Sequence, residues 1–403
     1  MIIQPKIRGF ICTAAHPQGC FRAVQEQVDY VKSKKRVAKG PKRVLVIGAS
    51  TGYGLASRIA ATFGYGAETI GVSLERPADG KRTASPGWYN TAAFEIIAKQ
   101  QGLQAVSING DAFSHEVKQQ AIAAIKKLGP VDLVIYSLAS PRRTHPDTGQ
   151  LYSSVLKPIG KIYRNKTIDP FSGIVKEVEI EPATETEIKA TEMVMGGEDW
   201  QMWIEQLLAA EALSTNVMTL AYSYIGPELT HPIYKDGTIG AAKRHLHQTA
   251  QSLNGSLNKI AGTALISVNK ALVTQASSAI PVVPLYISLL YKVMKEQGSH
   301  EGCIQQAFRL LEEKLYCQGS PVLDQQGLCR LDDWEMDPKV QEKVTELWKV
   351  VNTENLGKLA DLQGYQKDFY QLFGFAFSNI DYESDTNIEV DIPSIKEKHN
   401  VGT

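Results

Sequence analysis

Apolar residues along this chain form short uninterrupted runs, which alternate with longer segments where they recur every three or four positions. The first run occupies residues 44–47 and stops at Gly48. Small residues and glycines follow, and over residues 55–63 apolar positions return at helical spacing. A buried strand produces a short continuous run, whereas an amphipathic helix produces the longer period. The pattern therefore predicts a strand, a tight turn and a helix over residues 44–63.

The same alternation continues to about residue 274. It predicts further strands over residues 69–75, 105–113, 131–140, 217–226 and 264–274, and helices over residues 88–102, 116–129 and 195–213. Strands that alternate with helices of this length are typical of βαβ units, whose strands pair in parallel. The predicted fold class is therefore α/β, with a doubly wound parallel sheet of the Rossmann type.

The length of 403 residues exceeds one ordinary domain, although α/β enzymes reach it as one body with insertions. We expect a single extended catalytic domain over residues 1–403, with its core at about residues 41–300. Turn-forming residues and an alternating ribbon (residues 175–188) predict an insertion at about residues 141–195. Helical runs at residues 303–314 and 339–351 predict a helical extension at about residues 301–403. The apolar segment at residues 275–298 is either a plain core helix or the wall of an acyl pocket.

Composition narrows the class of protein. Lysine plus arginine and aspartate plus glutamate both total 43, so no net charge favours nucleic acid or a membrane surface as partner. The five cysteines include no CxxC pair, which predicts no metal site and favours a reducing compartment. The N-terminal residues lack a secretory pattern, and the longest apolar run, residues 279–291, is too short to span a bilayer. We therefore expect a cytoplasmic protein without integral membrane association.

A basic cluster precedes the first strand. Such a cluster is either a solvated connector or a docking patch for a phosphate-bearing or acidic partner. Its members are Lys32, Lys34, Lys35, Arg36, Lys39, Lys42 and Arg43.

The turn after the first strand carries glycines at Gly48, Gly52 and Gly54, a GxxxGxG spacing rather than the usual GxGxxG of dinucleotide-binding turns. The physical needs are the same: a sharp exit from the strand, a close approach of backbone to a pyrophosphate, and tight helix packing. Glu75 closes the second predicted strand about 20 residues further on, where a carboxylate binds ribose hydroxyls and repels a 2′-phosphate. This favours NADH, although Arg76 leaves NADPH open.

Three other candidate residues lie at the carboxyl ends of predicted strands. Asp111 ends the third, and Leu138 and Ala139 end the fourth. Ligands of doubly wound sheets bind beyond these ends. The agreement of these positions with Glu75 and the glycine turn predicts one nucleotide site.

The candidate catalytic pair is Tyr234 and Lys243, because a phenol beside an ammonium can donate to a developing oxyanion. Nine residues on an unbroken helix would place the two side chains on different faces. Gly237 and Gly240 lie between them, and Thr238 is a plausible N-cap, so we expect Tyr234 in a loop and Lys243 early on the helix. The alternative is a surface tyrosine and an exposed lysine.

A second tyrosine precedes this pair. Tyr224 could line the same cavity, but Tyr222 has the same parity along the strand, so strand periodicity does not choose between them. Tyr224 is nearer the carboxyl end.

Over nearly its whole length the chain resembles the long, single-chain trans-2-enoyl-CoA reductases. These are also described as V-type enoyl-acyl-carrier-protein reductases, a branch of the short-chain dehydrogenase/reductase superfamily. Ordinary superfamily members use tyrosine-x3-lysine, whereas this branch uses tyrosine-x8-lysine. The blocks that carry the resemblance are RGFICTAAHPQGC, VLVIGASTGYGLASRI, INGDAF, YSLASPRRTHP, MGGEDWQMW, AYSYIGPE, YKDGTIGAAK, VTQASSAIP and KVMKEQGSHEGC.

The resemblance implies site roles by position. Tyr234 would be the proton donor, with its pKa lowered by Lys243, which also binds the nicotinamide ribose, and Tyr224 would contact the thioester. Some relatives carry a second lysine where this chain has Arg244, which keeps the charge but is not a proton donor and is expected to anchor phosphate. The residues that would hold NADH are Gly48, Ala49, Ser50, Thr51, Gly52, Tyr53, Leu74, Glu75, Asp111, Ala112, Leu138, Ala139, Lys243, Leu272, Val273 and Thr274.

The resemblance also implies an activity: NADH-dependent reduction of the trans-2 double bond of enoyl thioesters, in fatty acid biosynthesis. The thioester partner would be enoyl-CoA or enoyl-acyl carrier protein, and we expect a monomer. Two alternatives share the fold. One is reduction of a ketone or 3-oxoacyl thioester, and the other is a nucleotide-binding protein without catalysis.

Overall fold

The computed structural model describes residues 1–9, 11–36, 39–317 and 319–395. The strands within these ranges are β1 (Ile7–Arg8), β2 (Ile11–Cys12), β3 (Arg43–Ile47), β4 (Glu68–Ser73), β5 (Ala105–Asn109), β6 (Val131–Tyr136), β7 (Arg142–Thr144), β8 (Leu151–Ser153), β9 (Tyr163–Asp169), β10 (Ile174–Ile180), β11 (Leu213–Ser223), β12 (Thr263–Val268) and β13 (Leu328–Arg330).

The α-helices within the same ranges alternate with these strands. They are α1 (Pro17–Ser33), α2 (Gly52–Ile59), α3 (Pro86–Gln100), α4 (His115–Leu128), α5 (Glu185–Met195), α6 (Glu198–Ala209), α7 (Thr238–Leu257), α8 (Val283–Glu296), α9 (Cys303–Arg309), α10 (Pro338–Val350), α11 (Leu356–Leu359) and α12 (Leu362–Gln371).

Seven of the strands in the described ranges form one sheet in the order β13-β12-β11-β6-β3-β4-β5, and every neighbouring pair in it is parallel. The chain leaves β3 toward β4 and β5, then returns to place β6 on the other side of β3. The direction of winding therefore reverses between β3 and β6, which opens a crevice at their carboxyl ends. The predicted doubly wound α/β fold is confirmed.

Alternating side chains of the central strands pack into two different layers. In β3, Leu45 and Ile47 face one apolar cluster, while Val44 and Val46 face the other. Helices α4, α6 and α7 cover the first face, and α1, α2, α3 and α9 cover the second. A strand buried on both faces needs a continuous apolar run, as the sequence of β3 provides.

A third apolar cluster lies beside the sheet and is formed by later parts of the chain. Helices α8, α10 and α12 pack there with the antiparallel hairpin of β9 and β10. Tyr234 belongs to this cluster, so the C-terminal region and the insertion together enclose the candidate site.

The observed strands end earlier than the sequence pattern predicts. Those predicted to end at residues 75, 113, 140 and 226 end at Ser73, Asn109, Tyr136 and Ser223. Beyond these ends Ala112 and Phe113 are buried in a loop, whereas Leu74 is exposed. Periodicity does not distinguish such apolar loop residues from strand.

Three segments of the insertion and the C-terminal extension differ from prediction. The ribbon ends at Ile180, because Thr184 begins α5 with a capping box. The predicted helix over residues 195–213 is α6 alone, and its last predicted residue, Leu213, already begins β11. The extension is not only helical, since β13 pairs with β12 at the sheet edge. Residues 396–403 of that extension lie outside the described residues, and the single-domain organisation stays a prediction.

Candidate active site

The glycine turn has the geometry that a pyrophosphate needs. Gly48 has φ +86, and a Cβ on it would lie 2.4 Å from the carbonyl oxygen of Ser137. A Cβ on Gly54 would lie 1.9 Å from Gly48 O, so only glycine allows α2 to pass this close to the turn. Gly52, with φ +54, begins α2 and faces open space. The side chain of the N-cap residue, Thr51, makes no capping hydrogen bond to the first amide groups of the helix. The first amide groups of α2 are therefore presented to a ligand.

Glu75 lies at the edge of this turn. Its two carboxylate oxygens accept hydrogen bonds from the hydroxyl of Ser50 at 2.6 Å and that of Ser85 at 2.5 Å. Its backbone N–H donates to Asn109 Oδ1 at 2.7 Å, which ties the ends of β4 and β5 together. A fixed carboxylate beside the turn disfavours a ligand with an extra phosphate at this position. The neighbouring Leu74 is exposed.

The loop after β5 is anchored by a residue that sequence reasoning missed. Lys118 is fully buried on α4, and its Nζ donates to Ala112 O at 3.0 Å and Phe113 O at 2.8 Å. It also donates to Asp199 at 2.7 Å. Burial lowers the pKa of Lys118 and raises that of Asp199, and each charge opposes the shift of its partner. The ion pair therefore holds the segment of Asp111 and Ala112 in place.

Replacing Lys118 by methionine is expected to weaken both folding and NADH binding. It leaves Asp199 as an unpaired buried carboxylate, which costs about 3–5 kcal/mol of stability. The loop carrying Asp111 and Ala112 loses its anchor, so KM for NADH should rise while kcat changes little. The measurements are thermal unfolding and steady-state kinetics.

The double variant Lys118→Met with Asp199→Asn separates the two effects. It removes the unpaired charge, so most of the lost stability should return while KM for NADH stays high. A double variant with normal KM would contradict the anchoring role.

Two further segments complete the carboxyl edge. Leu138 is half-buried and Ala139 exposed directly after β6. After β12, Leu272 and Val273 are buried, and Thr274 forms a tight turn with Ser277. All of these positions follow the carboxyl ends of strands, where ligands of such sheets bind, and their role in holding NADH stays a prediction.

Tyr234 stands in a turn before α7, as predicted. Its N–H donates to Thr230 O at 3.0 Å, and its own carbonyl accepts from Gly237 N at 3.3 Å. The N-cap of α7 is Gly237, not the predicted Thr238. The hydroxyl of Thr238 instead donates to Val155 O at 2.6 Å, because the insertion packs against this helix start.

Lys243 lies in the second turn of α7 and reaches the sheet. Its Nζ donates to Tyr222 O on β11 at 2.9 Å. One residue beyond the end of β11, the Tyr224 ring packs edge-to-face against Tyr234, with centroids 4.7 Å apart. The turn and the helix thus bring Tyr234 and Lys243 to the same strand end, which excludes the alternative of two unrelated surface residues.

Strand periodicity did not choose between Tyr222 and Tyr224, but the structure does. Tyr222 turns toward α2, where its hydroxyl lies 2.5 Å from Ser57 Oγ and its ring lies 5.4 Å from that of Tyr53. Tyr224 lies one residue beyond the end of β11 and contacts Tyr234. Tyr224 is therefore the one that lines the candidate site.

The pKa of Tyr234 differs from the lowered value that the resemblance implied. Burial and the carboxylate of Glu335 raise the pKa of Tyr234 rather than lower it. Burial lowers the pKa of Lys243 to about 8. The phenol is therefore firmly protonated, as a hydrogen-bond donor to a developing oxyanion must be.

Two more residues lie near the pair. The sequence analysis expected Arg244 to anchor phosphate and gave Glu335 no role. Arg244 donates from Nη1 to Lys235 O at 3.1 Å, so it fastens the turn that carries Tyr234. Glu335 comes from the C-terminal region and is fully buried. No spacing pattern could have indicated Glu335, because only the fold brings it to this strand end.

Three family models match the chain in succession. The NAD(P)H binding domain of trans-2-enoyl-CoA reductase matches residues 2–80, and the trans-2-enoyl-CoA reductase catalytic region matches residues 82–316. A model described as the enoyl reductase FAD binding domain matches residues 323–386.

Similar proteins cover nearly the whole chain. The enoyl-[acyl-carrier-protein] reductase [NADH] of Coxiella burnetii (strain CbuG_Q212) is 60% identical over 398 residues, which is 98% of each chain. The trans-2-enoyl-CoA reductase [NADH] of Ruminiclostridium cellulolyticum is 56% identical, covering 98% of this chain and 100% of that protein. The chain belongs to the trans-2-enoyl-CoA reductase family.

Solved structures of this reductase family agree with the fold. The Treponema denticola trans-2-enoyl-CoA reductase in complex with NAD has a TM-score of 0.92 at 51% identity, covering 96% of this chain and 98% of that one. The Clostridium acetobutulicum enzyme in complex with NADH has a TM-score of 0.94 at 44% identity, with the same coverage. The resemblance inferred from the sequence motifs is confirmed.

The nicotinamide cofactor expected of this reductase fits the site. The matched NAD(P)H binding domain contains the glycine turn, and NADH is named for the relatives, which confirms the prediction of NADH. The third model's name mentions FAD, but the cofactor named for the relatives is NADH.

The basic cluster of the reductase lies away from this site. Arg43 begins β3, and the backbone N–H groups of Lys42 and Arg43 donate to Asp132 near the start of β6. The cluster is therefore at the amino edge of the sheet, whereas the glycine turn and Tyr234 are at the carboxyl edge. This position favours the interpretation of the cluster as a solvated connector over that of a docking patch at the site.

Within the part of the chain that the structure describes, each helix is too short or too polar to cross a bilayer.

Proposed function

We propose that the chain reduces the trans-2 double bond of enoyl thioesters with NADH, in fatty acid biosynthesis. The thioester carrier is coenzyme A or acyl carrier protein, as the names of the relatives at 56–60% identity give both. The observation that carries the catalytic assignment is the convergence of Tyr234 and Lys243 at the end of β11, beside the glycine turn.

When bound along the carboxyl edge, NADH would supply the hydride that the β-carbon of the enoyl group accepts, and would leave as NAD. The residues that would hold it are the glycine turn 48–53, Leu74 and Glu75, Asp111 and Ala112, Leu138 and Ala139, and Leu272, Val273 and Thr274. The backbone amides at the start of α2 would bind its pyrophosphate, and the carboxylate of Glu75 would bind the hydroxyls of its adenosine ribose. Burial among apolar side chains excludes water from the reacting end.

Tyr234 stabilises the charge that moves to the thioester oxygen. Its protonated hydroxyl donates a hydrogen bond to the developing enolate, and the α-carbon then takes up a proton that Tyr234 supplies and regains from solvent. Lys243 binds the nicotinamide ribose, and Tyr224 contacts the thioester. The chain acts as a monomer in the cytoplasm in this proposal.

The test compares crotonyl-CoA with acetoacetyl-CoA while NADH absorbance is followed at several thioester concentrations. Oxidation with crotonyl-CoA and little with acetoacetyl-CoA is expected. The reverse preference would assign a 3-oxoacyl reductase instead. Tight NADH binding without oxidation on either thioester would leave only a nucleotide-binding protein.

The same assay settles the cofactor and the carrier. NADPH should be a poor substitute because of the carboxylate of Glu75. The crotonyl group on acyl carrier protein, measured beside crotonyl-CoA, identifies the preferred carrier from the ratio of kcat/KM values.

A further inference from the structure

A buried carboxylate from the C-terminal region reaches the candidate site. Glu335, between β13 and α10, has no exposed surface. Its Oε1 accepts from the hydroxyls of Tyr224 at 2.9 Å and Tyr286 at 2.6 Å, and its Oε2 accepts from Ala271 N at 2.7 Å. Three donors from three different segments therefore hold one carboxylate in a single orientation.

The side chain of Gln341 completes the network. Its Nε2 donates to Tyr286 Oη at 3.1 Å and to the backbone oxygen of Glu335 at 2.7 Å. Because Tyr286 Oη accepts from Gln341, its own proton is directed to the carboxylate. Glu335 is thus fixed through both its carboxylate and its backbone.

Tyr224 transmits this constraint to Tyr234. Its hydroxyl is held by Glu335, and its ring packs edge-to-face on Tyr234 with centroids 4.7 Å apart. Such aromatic pairs depend on relative orientation. A rotation of the Tyr224 ring would remove the surface against which the Tyr234 ring rests.

The charge of Glu335 acts on the same group. Burial raises the pKa of Glu335, while the nearby Lys270 and the hydrogen bonds to it oppose the increase. After burial, Glu335 is the second cause of the raised pKa of Tyr234. A negative charge beside the phenol favours its protonated form.

We propose that Glu335 is a positioning residue of the reductase, which fixes Tyr224 and through it the orientation of the Tyr234 hydroxyl toward the thioester oxygen. This inference rests on the proposed function. A buried charge is a costly way to fill a core, and an apolar residue would pack at least as well. Its use at this place follows from the tyrosines that it orients.

The first test is the variant Glu335→Gln, which keeps an acceptor but removes the charge. We expect kcat with crotonyl-CoA to fall by about 10- to 100-fold, as when a catalytic group is displaced slightly. KM for NADH should stay within about twofold, since Glu335 makes no hydrogen bond to a residue proposed to hold NADH and glutamine can still accept from Ala271 N. Any loss of kcat at high pH should begin at a lower pH in this variant, because removing the charge lowers the pKa of Tyr234.

Two further variants make the result specific. Glu95→Gln is the matched control: Glu95 is also buried and accepts from Ser394 N and Ser394 Oγ, away from the site. Its kcat and pH profile should equal those of the wild type. Tyr286→Phe removes one hydrogen bond to Glu335 but keeps its charge. We therefore expect kcat to fall, while the pH above which kcat is lost stays the same as in the wild type.

The outcomes separate this inference from the proposed function. If the wild type does not oxidise NADH with crotonyl-CoA, the proposed function fails. If the wild type is active and Glu335→Gln has normal kcat at every pH, the positioning role is wrong. Should Glu335→Gln not fold, Tyr286→Phe decides: normal kcat in that variant overturns the proposal.

Discussion

Replacing Tyr234 by phenylalanine is expected to lower kcat by about 10²- to 10³-fold, the usual cost of removing one donor to an oxyanion. The ring stays, so its packing on Tyr224 and the burial of the turn are preserved. Only the hydroxyl is lost, and the developing enolate has no donor at that place. NADH binding, measured by the quenching of protein fluorescence, should persist.

The matched control for this variant is Tyr365→Phe. Tyr365 is a fully buried tyrosine of the same apolar cluster, and its hydroxyl lies 3.3 Å from Ser278 Oγ. It should retain full turnover. If Tyr234→Phe were as active as this control, the assignment of Tyr234 as the donor would be rejected.

Replacing Lys243 by methionine should lower kcat/KM for NADH by about 10²-fold, because an ammonium that binds the ribose and faces the reacting end is lost. The unbranched side chain still fills the space along α7. The structure adds a pH dependence, since burial lowers the pKa of Lys243 to about 8. In the free enzyme the ammonium is present below this pH and is lost as the pH rises through it, so kcat/KM for NADH should fall above about pH 8.

The decrease of kcat/KM for NADH above about pH 8 should be absent in Lys243→Met, because the group that titrates has been removed. The control is Lys166→Met. Lys166 donates from Nζ to three backbone carbonyls at the end of α10, at 3.0–3.1 Å, away from the site. That variant should unfold at a lower temperature but keep the wild-type pH profile. A decrease that persists in Lys243→Met would assign the pKa to another residue.

Several features of the site could be predicted because they depend on local chemistry. The turn at Gly48 and Gly52 needs positive φ, which glycine supplies, and the apolar run before it needs burial on both faces. The two glycines between Tyr234 and Lys243 predicted the turn before α7. The N-cap was wrong by one residue, because the insertion offers Val155 O as an acceptor for Thr238.

The amino-acid sequence by itself determined the βα alternation, the glycine turn, the spacing of Tyr234 and Lys243 and the resemblance to the reductase family, because each of these is a pattern of neighbouring residues. The tertiary structure alone decided that Lys118 anchors the Ala112 loop, that β13 extends the sheet and that Glu335 reaches Tyr224 across 111 positions of the chain. Contacts between distant segments depend on how the layers pack, and no local period records them. Packing also set the pKa of Tyr234, since its burial and the charge beside it come from other parts of the chain.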